Sequence, residues 1–233
     1  MKKITLILLI ALSINTYAKK DISEKDNRIG FNLGFSANSL KFEGATNQET
    51  KNLTKVGGFI GLAFEHKFGR TFALETGLNF VNKGGSLKIK EDLITKGGSI
   101  AFNFYSIDVP LIAKIYIGKK KIFNVNVGGY ASYSYLTEMA SKIDNKVLPD
   151  VNEKEKNPKD LEGDKAFNAF DAGINFGLEF VSRKGIGAGL KLNQGLIDAT
   201  NNSYEESFGA LRIPNDKKYA LHTGAQLYMI FKF

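Results

Sequence analysis

Two histidines and no cysteine bound the chemistry available to this chain. Without a thiol there is no cysteine nucleophile, no disulfide, no thiolate metal site and no lipidated N-terminal cysteine. His66 stands one short step from Arg70 at a tight turn. His222 opens the last apolar run, on its polar side and beside a long connection, which is the better place for a general base. Ser203 or Ser207 could serve as its nucleophile and Glu205 or Glu206 as the orienting acid. No motif fixes their geometry, so no catalytic residue is assigned. Gly84-Gly85 and Gly97-Gly98 bound a loop and do not lead a strand into a helix, so no phosphate cradle is read. No cofactor and no metal site follow from the sequence.

The elements that would position any such residues come from length and pattern. A chain of 233 residues suits one domain, because all-β barrels commonly run to about 200–250 residues undivided. Four prolines and charges of mixed sign argue against wholesale disorder. The formal net charge is +8; residues 1–18 contribute Lys2 and Lys3, and without them the balance is 30 minus 24, or +6. Nucleic-acid binding would need lysines on a stripe with stacking aromatics. Here the aromatics alternate within apolar runs and most lysines sit at run ends, so no nucleic-acid partner is expected.

Met1-Lys2-Lys3, an apolar stretch from Ile4 to Ile14 and small residues ending at Ala18 read as a secretory signal peptide, cleaved after about Ala18. The stretch is too short for a spanning helix, which needs about 20 apolar residues. The expected organisation is a signal peptide at 1–18, a short periplasmic segment at 19–28 and one barrel domain at 29–233.

From Ile29 onward the dominant period is two. Ile29, Phe31, Leu33 and Phe35 alternate with Gly30, Asn32, Gly34 and Ser36, and seven further runs repeat the pattern, ending at Phe233. Connections at Gly69-Arg70, Gly118–Lys121 and Arg183–Gly185 are tight, whereas those at 39–55, 84–98, 138–166 and 198–218 are long. The longest is highly charged and without apolar alternation, so it reads as a solvated loop with no added strands. Short turns at one rim and long loops at the other predict an all-β fold: an eight-stranded antiparallel up-and-down transmembrane β-barrel with short periplasmic turns and long extracellular loops.

Alternation alone does not say which face meets lipid. The polar face is crowded with glycine and small residues, as a narrow lumen requires. It also carries Glu65, Glu75, Asp108, Lys114, Asp171, Glu179 and Lys191, while the other face is almost free of charge. An ionised side chain facing hydrocarbon costs about 2–4 kcal/mol near the midplane, so the apolar face points out. Charges of both signs in a narrow interior should pair and plug it. The expected lumen network is Glu75, Asp108 and Lys114 on strands three and four, with Glu179 against Lys191 on six and seven. Pro110 lacks a ladder donor in mid-strand and predicts a bulge or bend.

The turns hold Arg70, Lys119, Lys120, Lys121, Arg183 and Lys184 with no acid, which makes them candidate contacts for anionic lipid of the inner leaflet. The closing run, with Tyr228, Phe231 and Phe233, reads as an assembly signal for the barrel-insertion machinery.

Gly77-Leu78-Asn79-Phe80-Val81-Asn82-Lys83-Gly84 and Tyr105-Ser106-Ile107-Asp108-Val109-Pro110-Leu111-Ile112-Ala113-Lys114 resemble the third- and fourth-strand motifs of the PorT-type outer-membrane barrel family of the Bacteroidetes kind. Asn193-Gln194-Gly195-Leu196-Ile197 is similar to the end of its seventh strand; in the family the fourth-strand acid is often glutamate, where this chain has Asp108. The resemblance runs from about Ile29 to Phe233 and implies a location in the cell outer membrane. The expected role is structural or interactional, through outer loops that meet an unknown envelope or extracellular partner. A small porin-like channel is the alternative, and a lipid-modifying enzyme of the outer membrane comes third.

Overall fold

The structure, a computed structural model, describes residues 26–43, 50–89, 98–143, 146–147, 154–155, 167–199 and 219–233. The expected signal peptide and most of the segment at 19–28 lie outside the described residues.

Eight long strands form the wall: β1 Asn27–Glu43, β2 Lys55–Phe68, β3 Phe72–Ile89, β4 Gly98–Ile117, β5 Phe123–Ile143, β6 Phe170–Val181, β7 Ile186–Gly195 and β8 Tyr219–Lys232. Each pairs antiparallel with the next in the chain, and β1 pairs with β8 from Gly30↔Lys232 to Glu43↔Tyr219, so the sheet closes. Closure leaves the wall no free sheet edge, which is what strands need inside hydrocarbon. Side chains alternate as the pleat dictates. On β6, Phe170, Ile174, Phe176 and Phe180 are exposed while Asp171, Asn175 and Glu179 are buried. The molecule is thus apolar outside and polar within. On β4 the outward apolar residues run from Ile117 to Ile107. Ten residues rising about 3.3 Å each at a tilt of about 40° span about 25 Å, the height of a bilayer's apolar band.

The tight turns at Gly69–Thr71, Gly118–Lys121 and Ser182–Gly185 all lie at the rim where β1 starts and β8 ends. At the other rim the strands run on past the apolar band. β1 reaches Glu43, β3 reaches Ile89 and β5 reaches Ile143, well into the stretches expected to be loops. The outer face leaves the hydrocarbon there while Leu40, Phe102 and Phe104 stay buried on the inner one, so the outward apolar alternation stops while the hydrogen-bond ladder continues. Three short strands dress these extensions. Thr50–Leu53 pairs with the end of β3, and Lys146–Val147 and Lys154–Glu155 pair with β5. The expectation of no added strand between 138 and 166 is corrected by the last two.

Pro110 does not produce the expected bulge. The β3–β4 register is the same on either side of it, with Thr76↔Leu111 and Asn79↔Asp108, and only the pairing between them lapses. The Thr76 hydroxyl donates to the Pro110 carbonyl at 2.9 Å, replacing part of the lost ladder. The register shift falls instead on β5, where Tyr105↔Leu136 is followed by Ser106↔Ser134 and Tyr135 is the extra residue.

Candidate functional site

The lumen holds the molecule's buried charge, in two tiers. The lower tier, near the turn rim, gathers Glu65 of β2, Glu75 of β3, Lys114 of β4, Glu179 of β6 and Lys232 of β8. The Lys114 ammonium donates to Glu75 Oε2 and Glu179 Oε2, each at 2.6 Å, and lies 3.8 Å from Glu65 Oε2. The Lys232 ammonium donates to Glu65 Oε2 at 2.5 Å and Glu75 Oε2 at 3.1 Å, and stands 3.7 Å from Glu179 Oε2. Two ammonium groups therefore bridge three carboxylates drawn from three strands. Arg28 adds a bond to Glu65 Oε1 at 3.1 Å, and Tyr116 donates to the same oxygen at 2.7 Å. Tyr228 and Asn124 donate to Glu179 at 2.9 and 3.2 Å. All of these side chains are buried, Lys114 to 0% exposure. Charges so placed are tolerable only when paired and hydrogen-bonded.

The upper tier lies toward the long-loop rim. Lys83 Nζ donates to Ser132 Oγ at 2.9 Å and stands 2.9 Å from Asp108 Oδ1 and 3.6 Å from Asp171 Oδ2. Its ammonium also lies 4.7 Å from the centre of the Tyr130 ring, and the Tyr130 hydroxyl donates to Asp171 Oδ2 at 3.0 Å. Above this tier the lumen turns aromatic. Phe102 and Phe104, each 1% exposed, point inward from β4. Phe167 meets both edge-on at 5.0 and 5.3 Å, and His222 meets Phe104 at 5.1 Å.

Of the expected lumen residues, Glu75, Lys114 and Glu179 share the lower tier, and Asp108 belongs to the upper one with Lys83. The expected Glu179–Lys191 pair is corrected. Glu179 is taken by Lys114, and the Lys191 ammonium rests 5.3 Å from the centre of the Tyr228 ring. Among the described residues no carboxylate comes within ion-pair distance of Lys191. Gly189 makes room for that ring, since a Cβ there would fall 2.4 Å from Tyr228 Cζ. The three residues of the expected assembly signal lie on two faces of β8. Tyr228 faces in, whereas Phe231 faces out and stacks on Phe31 at 4.6 Å, with Phe233 at 6.2 Å from the same ring.

Arg70, Lys119, Lys120, Arg183 and Lys184 are exposed at the turn rim, and Lys121 is half-buried there in a left-handed conformation, φ 52°. His66 lies at the same rim, 2.6 Å from Asn27 Oδ1 and edge-on to Phe68. His222 is buried with Nδ1 unpartnered, and its proposed serine and glutamate partners at 203–207 lie outside the described residues. Among the described residues no group of three His, Cys, Asp or Glu side chains could hold a metal ion.

Arg28, Lys67, Lys83 and Lys232 are the buried lumen cations that sequence reasoning passed over, Lys67 sharing the face of Glu65. Parity alone could have found them: Arg28 shares a face with Gly30 and Asn32, Lys83 with Glu75, and Lys232 with Tyr228.

Residues 19–201 match the family described as "Outer membrane protein beta-barrel domain". Among solved structures the chain is similar to the attachment invasion locus protein Ail of Yersinia pestis, at 9% identity and TM-score 0.43, covering 90% of this chain and 100% of that one. It is similar to OprG of Pseudomonas aeruginosa at 14% identity and TM-score 0.42, with 89% and 96% covered. The outer membrane enzyme PagL is also similar, at 10% identity and TM-score 0.30, with 85% and 97% covered. No curated protein matches the chain by sequence.

Proposed function

The chain belongs to the outer membrane protein beta-barrel domain family, and from that premise we propose that it is a sealed barrel of the cell outer membrane whose role is structural or interactional. The observation that carries this reading is a lumen obstructed twice. Two lysines and three glutamates knit its lower end, and Phe102, Phe104 and Phe167 fill its upper end. The wall of β3, β4 and β5 rising beyond the apolar band supports surfaces outside the membrane as the working part, meeting an envelope or extracellular partner. Within the family we propose the PorT-type branch, on the motifs at 77–84 and 105–114.

The test is single-channel conductance of the refolded barrel in a planar bilayer. Silence from a folded barrel is the expected outcome, and steady, reproducible steps overturn the reading. A second reading, a small porin-like channel, has one observation in its favour. Asn126 Oδ1 and Asn175 Oδ1, with Asp171 Oδ1 of the upper tier and His222 Nδ1 beside Phe104, are buried without hydrogen-bond partners among the described residues. Such groups are ordinarily satisfied by ordered water, which the lumen of a channel would supply.

A further inference from the structure

At the turn rim the inner face of the wall crowds cations together. Arg28 of β1, Lys67 of β2 and Lys232 of β8 are buried, and Lys121 stands half-buried in the turn before β5. Two of them share one aromatic ring, Arg28 Cζ lying 5.5 Å and Lys67 Nζ 4.9 Å from the centre of Tyr116. Arg28, Lys121 and Lys232 all repel Lys67, and Glu65 attracts it. Lys232 is committed to Glu65 and Glu75, whereas Arg28 gives only Nη1, to Glu65 Oε1 at 3.1 Å and the Tyr116 oxygen at 3.0 Å. The other edge of the guanidinium, Nε with Nη2, is buried and bonds nothing among the described residues. Asp26, two residues away on the same face, is exposed at the rim and does not meet that edge. The Phe233 main-chain oxygen goes to the Ile29 N–H at 3.4 Å.

We propose that this mouth of the lumen binds a phosphate group in the fork of Arg28, with Lys67 and Lys121 beside it. Nε–H and Nη2–H point the same way, which is the geometry that takes two oxygens of one oxyanion. Charged donors left unmet in a low-dielectric interior cost free energy, and a bound anion removes that cost. A carboxylate would use both its oxygens on the fork. A phosphate keeps further oxygens for the two lysines, which serve it as point charges. Lys67 stands one inward step nearer the rim than Glu65, and its flexible stem can swing to admit the anion to a fork now shielded from solvent. The proposal stands whether or not the lumen conducts, because the mouth lies on the rim side of the lower tier.

The chain without residues 1–18, refolded in lauryldimethylamine oxide micelles free of phosphate, can be titrated with inorganic phosphate by isothermal calorimetry. Saturable binding is the expected result. Arg28→Lys keeps the charge and loses the fork, and it should weaken binding about tenfold. Lys121→Gln, a change in the turn itself, should weaken binding about threefold and keeps the test open where Arg28→Lys does not fold. The heat-modifiable gel shift of a barrel reports folding. Phosphatidylglycerol in the micelle separates the two sources of the group. Displacement of inorganic phosphate by the lipid identifies a headgroup as the ligand, and no displacement identifies a soluble phosphate. A folded barrel that binds no phosphate, or binds acetate as tightly, overturns the proposal, as does unchanged affinity in the folded variants.

Discussion

Lys232 and Lys191 are both buried ammonium groups, yet they stand in opposite situations. Lys232 touches three carboxylates, and Lys191 touches none among the described residues. Removing one partner of a buried ion cluster strands the others and costs about 3–5 kcal/mol, so Lys232→Met should lower the unfolding free energy by that order. Lys191→Met removes a charge whose desolvation is offset by the ring of Tyr228, a contact of about 0.5–2 kcal/mol, and by Glu75 and Glu179 beyond ion-pair distance. It should be close to neutral or stabilising. Urea titration of the two variants in the same micelle checks the contrast, and equal losses would sink it. Which residues face the lumen was legible from parity alone. Which carboxylate meets which ammonium was not, because partners sit across the lumen on strands distant in sequence. Lys114 lies beside Glu75 through the β3–β4 ladder and meets Glu179 across β5, but Lys232 reaches Glu65 and Glu75 only because the barrel closes. Strand parity is local, and closure is not.

At the scale of elements, the seam between β1 and β8 decides whether there is a barrel at all. Its lower end is held by Phe233 N donating to the Ile29 carbonyl at 2.7 Å and by the stack of Phe31 with Phe231 and Phe233. Deleting Phe233 should lower the amount of folded barrel in outer-membrane fractions, measured as the heat-modifiable band, and normal amounts would count against it. Strand number, direction and the tight turns were readable because a bilayer imposes alternation wherever it touches the wall. Strand ends at the other rim were not, because an outer face beyond the hydrocarbon is released from the constraint that writes the pattern. Gly84 and Gly85, read as the start of a loop, sit inside β3 for that reason. Tyr135 carries the bulge that Pro110 seemed to require, since a proline whose missing donor faces one neighbour can lapse in pairing without adding a residue.

For the whole molecule, charge is sorted by height. The turn rim displays Arg70, Lys119, Lys120, Lys121, Arg183 and Lys184, while the wall above it displays apolar side chains. Basic residues near an anionic surface contribute about 1 kcal/mol each at physiological salt. Changing all six to glutamine should weaken association of the chain with anionic vesicles during insertion and leave neutral vesicles unaffected. Flotation assays read the difference, and unchanged association would remove the rim as a lipid contact.

The lower tier has an implication for the order in which the molecule can be made. Glu65, Glu75 and Glu179 all precede β8 in the chain, and β8 is the strand that carries Lys232 among them. A wall of seven strands would hold three carboxylates against Lys114 and Arg28, with an open edge beside them. The last strand then supplies the missing partner edge and the missing counter-charge in one step. A chain cut short of β8 would leave Glu65 and Glu75 without the ammonium that bridges them, beside an edge with no partner strand.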